Sequence, residues 1–107
     1  VAGASIHAAH LLASGQADTA INLGGGRHHA KKGAAAGYCY VNDAVLAVQH
    51  LLRTFDRVLY LDIDIHHSDG VEDAFYFSHS VLHVSFHKHA AGFFPGSGAM
   101  TDVGGGP

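Results

Sequence analysis

Asp62, Asp64 and His66 stand at alternate positions directly after the apolar run of residues 58–61, and His67, Ser68, Asp69 and Gly70 follow without a break. Successive side chains of a strand point to opposite faces, so this spacing sends two carboxylates and an imidazole to one side. A strand buried on both faces should read as continuous Val, Ile and Leu, and carboxylates inside it are costly unless paired, hydrogen-bonded or bound to a cation. A metal site is the economical reading. One Asp and one His make two of the three protein ligands that a catalytic zinc typically keeps, with the remaining position open to water or substrate. The third ligand must come from elsewhere. A metal that activates water and polarises a carbonyl, beside an imidazole that takes the proton, equips a site for metal-assisted amide hydrolysis. His28 and His29, a tandem pair after Gly24, Gly25 and Gly26, suit the imidazole role. A carboxylate behind each ring would fix its tautomer and raise its basicity.

The elements that must place these groups alternate between helix and strand. Residues 3–13 read as a helix that stops near Ser14 and Gly15, and residues 20–23 as a short strand ending in the three glycines. Val41, Ala44, Val45, Val48, Leu52 and Phe55 recur at three- and four-residue intervals, the mark of an amphipathic helix. Residues 58–63 form the second predicted strand. Asp69, with Glu72 three residues on, predicts a carboxylate-capped helix running through about Phe77. Residues 81–86 form the third strand. Strands joined by crossover helices predict an α/β fold, a parallel sheet with crossover helices on both faces, which binds ligands beyond the carboxyl ends of its strands. All three predicted strands carry their polar motif at that end. The stretches 92–98 and 104–107 read as loop.

Composition narrows the function classes. The chain has 107 residues and 48% apolar content, enough for one core at most. No apolar run approaches membrane-spanning length, no signal peptide opens the chain, and no membrane partner is expected. The lone Cys39 rules out an internal disulfide and a multi-cysteine zinc cage, and it favours a reducing compartment. Six Lys and Arg and a net charge of −3 give no basic stripe, so direct nucleic-acid recognition is not expected.

Each motif has a plainer reading. The three glycines lack the third glycine of a dinucleotide loop, since His29 stands there, and no Gly-Lys-Ser/Thr follows; they more simply turn the backbone so that His28 and His29 reach the strand end. Asp69 alone would be a helix N-cap; beside the Asp-x-His pair it is also a candidate to orient an imidazole. His7, His10 and His50, in helix-like stretches, read as solvated or half-buried, and His83, His87 and His89 as structural. Phe93 and Phe94 could be ordinary turn-packing aromatics. Ser85 ends the third strand near the carboxylates of the second.

Four stretches together carry a resemblance: Gly25-Gly26-Arg27-His28-His29-Ala30-Lys31-Lys32, Gly37-Tyr38-Cys39-Tyr40-Val41-Asn42-Asp43-Ala44, the run from Asp62 through Glu72, and Gly92-Phe93-Phe94-Pro95-Gly96. They resemble the zinc-dependent histone deacetylase family over nearly the whole chain, with Ala30-Lys31-Lys32 and Tyr38-Cys39-Tyr40 closest to its class I branch. The resemblance implies an arginase-like α/β fold, removal of acetyl from a lysine side chain, and a chromatin regulator acting in transcription repression. It implies that Asp64 and His66 bind zinc, and that His28 and His29 are the active-site histidines, backed by Asp62 and Asp69 respectively. His29 would be the general base. Gly37, Tyr38 and Phe94 would line the tunnel for the acetyl-lysine stem. Asp62, Asp64, His66, Ser85 and the Phe86 carbonyl would hold a structural potassium ion. Implied partners are acetylated lysines of histone tails or other proteins, and corepressor proteins. The implied location is the nucleus, with the cytoplasm as an alternative.

Three positions depart from the pattern. Ser68 stands where the family usually has Gly, Arg27 where an apolar or aromatic residue is commoner, and Tyr38 where Phe is common. None removes a catalytic group. The resemblance places the third zinc ligand, an Asp, and a transition-state Tyr beyond Pro107, and a rim carboxylate before Val1. Residues 1–107 are thus expected to be the central part of a single catalytic domain, inactive in isolation. Two rival readings keep the same motifs: a deacetylase of polyamines or another small amide, and a catalytically dead scaffold that binds acetyl-lysine or corepressors.

Overall fold

The computed structural model of the chain describes residues 1–105; Gly106 and Pro107, the end of the predicted loop 104–107, lie outside the described residues. The element order is α1 (Ala2–Ala13), α2 (Asp43–Leu51), β1 (Val58–Asp62), α3 (Asp69–Phe75) and β2 (Val81–Ser85). No described helix is long and apolar enough to cross a membrane.

β1 and β2 pair in parallel, with Val58 opposite Val81 and Asp62 opposite Ser85, and α3 is the crossover between them. The pleat sorts their side chains. Val58 and Tyr60 of β1 turn toward α2 and α3, where Val48, Val71, Phe75 and Val81 form the buried core, flanked by Ala44, Val45 and Leu52. Of the predicted stripe, Ala44, Val45, Val48 and Leu52 form the core face of α2, whereas Val41 and Phe55 lie outside the helix and are exposed. Leu59, Leu61 and Leu82 point the other way and are exposed. The expected helices on both faces are met on one: α2 and α3 share a face, and the opposite face is bare among the described residues.

Three further expectations change. Residues 20–23 have the apolar content of a strand but no ladder partner, so they run as irregular chain with Ile21 and Leu23 exposed, closed by a turn in which Gly25 N donates to Asn22 O. Propensity makes a strand only when a neighbour accepts its hydrogen bonds. Asp69 is not the cap of α3. Ser68 holds that position without a side-chain cap bond, and the Asp69 carboxylate is used elsewhere. The strand also stops at Asp62, so Asp64 and His66 sit on the loop that follows it.

The core assignment makes a stability prediction. Phe75→Ala should cost about 3–5 kcal/mol, as expected for an aromatic removed from a core, whereas Leu59→Ser on the bare face should stay within about 0.5 kcal/mol. Denaturant unfolding of the 107-residue chain reads both; equal losses would contradict the assignment of faces.

Candidate active site

The polar residues gather where β1 ends, at the carboxyl edge of the sheet. His28 Nδ1 donates to Asp62 Oδ2 at 2.7 Å, and His29 Nδ1 donates to Asp69 Oδ1 at 2.7 Å. All four side chains are buried. The two rings lie 4.0 Å apart, centroid to centroid. Asp62 is delivered by the last residue of β1 and Asp69 by the first turn of α3, so strand and crossover helix each supply one carboxylate to one loop. Asp62 Oδ2 also accepts the Tyr60 hydroxyl at 2.6 Å, and its Oδ1 accepts Asp64 N at 2.9 Å. Lys31 Nζ lies 3.1 Å from Asp69 Oδ2 and 2.6 Å from Asp73.

These contacts set the titration of the groups. Burial acts to raise the Asp62 carboxyl, but bonds from His28, Tyr60 and the Asp64 amide outweigh it and hold it well below the ordinary value. Asp69 is likewise lowered against its burial by His29 and Lys31. Burial works to lower His28, and the Asp62 bond and charge overcome it to leave the imidazole raised. Tyr60 is pushed up by burial and by Asp62, so it remains a hydroxyl donor.

Asp64 and His66 are more open. Asp64 Oδ1 lies 3.0 Å from His66 Nδ1 and 3.9 Å from His28 Nε2. Ligands of one tetrahedral zinc with bonds of about 2.0–2.2 Å lie roughly 3.3–3.5 Å apart, so a carboxylate oxygen and an imidazole nitrogen at this spacing fit two corners of such a site. Among the described residues no group of three or more His, Cys, Asp or Glu could hold a metal ion. The two donors therefore fit zinc as a partial set.

Of the residues expected in the tunnel, Phe94 is placed against the histidines, edge-on to His29 at 4.9 Å between centroids and to His66 at 6.0 Å. Phe93 stacks on His66 at 5.3 Å. Tyr38 is almost fully exposed, at a positive φ of 60°. Gly37 is expected to line the tunnel, and the structure gives its missing side chain a further use. With φ at +52°, a Cβ there would collide with the His29 ring, so the glycine lets the backbone lie against that imidazole. For the expected potassium set, Ser85 is the ladder partner of Asp62 and Phe86 N donates to Asp62 O at 2.9 Å. The Ser85 hydroxyl is hydrogen-bonded to His87 Nδ1 at 2.9 Å.

Sequence reasoning missed several participants. His67 is fully buried, donating from Nε2 to Glu72 and hydrogen-bonded through Nδ1 to Ser97 Oγ at 2.9 Å. Ser68, the departure from glycine, bonds His83 Nε2 at 2.6 Å through its hydroxyl. Asp43 is the most consequential omission: it is 2% exposed, more than a dozen residues from His28 and His29 in sequence, and engages the loop before His28. The sequence marks Asp43 only as part of the stretch 37–44 that carries the family resemblance.

The histone deacetylase domain model matches residues 1–107. The chain belongs to that family. It is 58% identical over 104 residues to histone deacetylase 8 of Danio rerio, covering 97% of this chain and 28% of that protein. It is 60% identical over 103 residues to histone deacetylase 6 of Arabidopsis thaliana, covering 96% of this chain and 22% of that protein. The chain thus spans less than a third of the length of these relatives. The fold in hand is the α/β piece with its parallel pair of strands, and the buried imidazole–carboxylate pairs lie in the stretches on which the family resemblance was read.

The titrations have opposite signs and predict a pH profile for stability. Asp43, Asp62 and Asp69 have lowered folded values, so their contribution is complete above pH about 4 and is lost as pH falls through those values. His28 is raised, so its contribution is complete below pH about 6.5 and is lost as pH rises through its folded value. Burial lowers His83, so its contribution is complete above pH about 6.5 and falls away as pH drops toward its folded value; thermal unfolding should therefore peak near pH about 6.5, decline above it with His28, and decline most steeply below pH about 4. A melting temperature that rose below pH 4 would contradict the pairing.

Proposed function

We propose that the parent protein hydrolyses the acetyl amide of acetyl-lysine, in histone tails or other proteins, and that residues 1–107 are the central part of its single, arginase-like catalytic domain. The carrying observation is the juxtaposition of two buried imidazole–carboxylate pairs with the Asp64–His66 couple. Asp64 and His66 would hold zinc with a third ligand from outside this stretch. When bound, zinc polarises the amide carbonyl and acidifies water.

The chain's own groups divide the remaining work. The Asp69 carboxylate holds His29 with its proton on Nδ1, which leaves Nε2 as the ring's proton-accepting atom; His29 is therefore the general base. Asp62 does the same for His28, and its charge keeps that ring protonated to higher pH than an ordinary imidazole. A cationic His28 beside the reacting carbonyl would stabilise negative charge developing there. Phe94 offers an aromatic wall to the apolar stem of a lysine whose charge the acetyl group has removed, and the exposed Tyr38 would be a second on the family resemblance alone. Gly37 serves the same site by keeping His29 in place. A structural potassium ion at Asp62, Asp64, His66, Ser85 and the Phe86 carbonyl rests on the family resemblance; strand pairing sets Asp62 beside Ser85, while the acidic and imidazole side chains form no metal group of their own among the described residues. The reading extends to corepressor partners and to transcription repression in the nucleus, on the family resemblance alone.

Steady-state kinetics of the full-length parent on an acetylated histone-tail peptide test the reading. His29→Ala should lose roughly 10²–10⁴-fold in kcat with zinc content retained, and Asp69→Asn should reproduce part of that loss. Near-normal turnover in His29→Ala would remove it as the base. A wild-type parent with full zinc and no turnover would favour the scaffold reading.

A further inference from the structure

Asn42 and Asp43 begin α2, and the plain account of both is local. Asn42 is the N-cap: its Oδ1 accepts Val45 N at 3.1 Å. An acid in the first turn is favoured by the helix dipole. Neither role needs what these side chains also do. Capping uses only the acceptor half of an amide, and Asn42 spends its donor half on the loop opposite, Nδ2 donating to His28 O at 3.2 Å and to Ala30 O at 3.0 Å. An acid interacting with the dipole has no need of burial, yet Asp43 is 2% exposed and turned inward. Its Oδ1 accepts Arg27 N at 2.7 Å, and its Oδ2 accepts Gly26 N at 3.1 Å and the Ser5 hydroxyl.

We propose that Asn42 and Asp43 are positioning residues for the active-site histidines, gripping the backbone of residues 26–30 so that both imidazoles meet their carboxylates. The backbone is pinned on both sides of His28, at the Gly26–Arg27 peptide by Asp43 through Arg27 N–H and at the His28–His29 peptide by Asn42 through His28 C=O. The carbonyl following His29 is pinned as well, through Ala30. The loop has no slack on its other sides. A Cβ on Gly25 would come within 2.6 Å of Asp43 Oδ2, and one on Gly70 at the start of α3 within 2.6 Å of the His28 and Ala30 carbonyl oxygens. The segment is thus held between the starts of two helices, α2 by hydrogen bonds and α3 by contact. Fixing the backbone fixes where each ring begins, and a misplacement of about 1 Å at a catalytic group can cost on the order of 10²-fold in rate.

This inference rests on the proposed deacetylase reading for its kinetic test, and a second readout separates the two. Asn42→Ser keeps a good N-cap but is too short to reach both carbonyls, and Asn42→Asp keeps the cap and the shape while removing both donors. In the full-length parent each variant should lower kcat roughly 10–10²-fold on an acetyl-lysine peptide, with KM within about twofold of wild type. Backbone amides of residues 27–30 should exchange with solvent faster in both. A kcat within about twofold of wild type, or a loss confined to KM, would overturn the proposal even if exchange quickened. If Asn42→Ser fails to fold, Asn42→Asp decides by the same criteria. If the wild-type parent turns over no substrate, the deacetylase reading fails, and unchanged exchange in the variants would overturn the clamp independently.

Discussion

An ionised carboxylate in a protein interior needs a partner, and Asp62 and Asp69 each find one in an imidazole more than thirty residues away in sequence. That constraint organises the molecule. To satisfy it, the loop carrying His28 and His29 must lie across the carboxyl end of β1 and the start of α3 together, with the sheet, the crossover and the glycine turns all in register. Breaking one pair would leave a buried charge uncompensated, a far larger penalty than the pair's net contribution. The same contacts that make the site therefore keep the fold from relaxing around it.

Burial divides the site into two kinds of group. The imidazole–carboxylate pairs are enclosed, where their hydrogen bonds are shielded from water and their mutual field is strong. Asp64 and His66 are part-exposed, with side-chain exposures of 49% and 38%, which suits donors that must admit an ion and a substrate. Phe93 and Phe94 lie over the boundary between them. Their loop is tied back through Ser97 to the buried His67, so a residue next to a candidate metal ligand in sequence anchors the loop bearing those aromatics.

What the sequence made legible was local. The alternation of Asp62, Asp64 and His66 marked the site, although the strand carries only the first of them. The period of α2 and the apolar runs of β1 and β2 were readable because burial imposes them on neighbouring residues. The partners behind His28 and His29 came from family resemblance; spacing alone said only that some carboxylate should stand there. Three features escaped for a common reason, that each depends on a contact distant in sequence. Residues 20–23 needed a neighbouring strand, Gly37 needed the His29 ring against it, and Asp43 needed the backbone of residues 26–27.

The central claim is that Asp69 holds His29 as a base with its proton on Nδ1 and Nε2 bare. Long-range proton–nitrogen spectra of the histidine-labelled, zinc-loaded parent read the tautomer of the neutral ring directly. The account predicts a protonated Nδ1 and an unprotonated Nε2 on His29, with the Nδ1 proton signal lost from its hydrogen-bonded position in Asp69→Asn. A neutral His29 carrying its proton on Nε2 would leave no basic atom free for the reaction and would contradict the account.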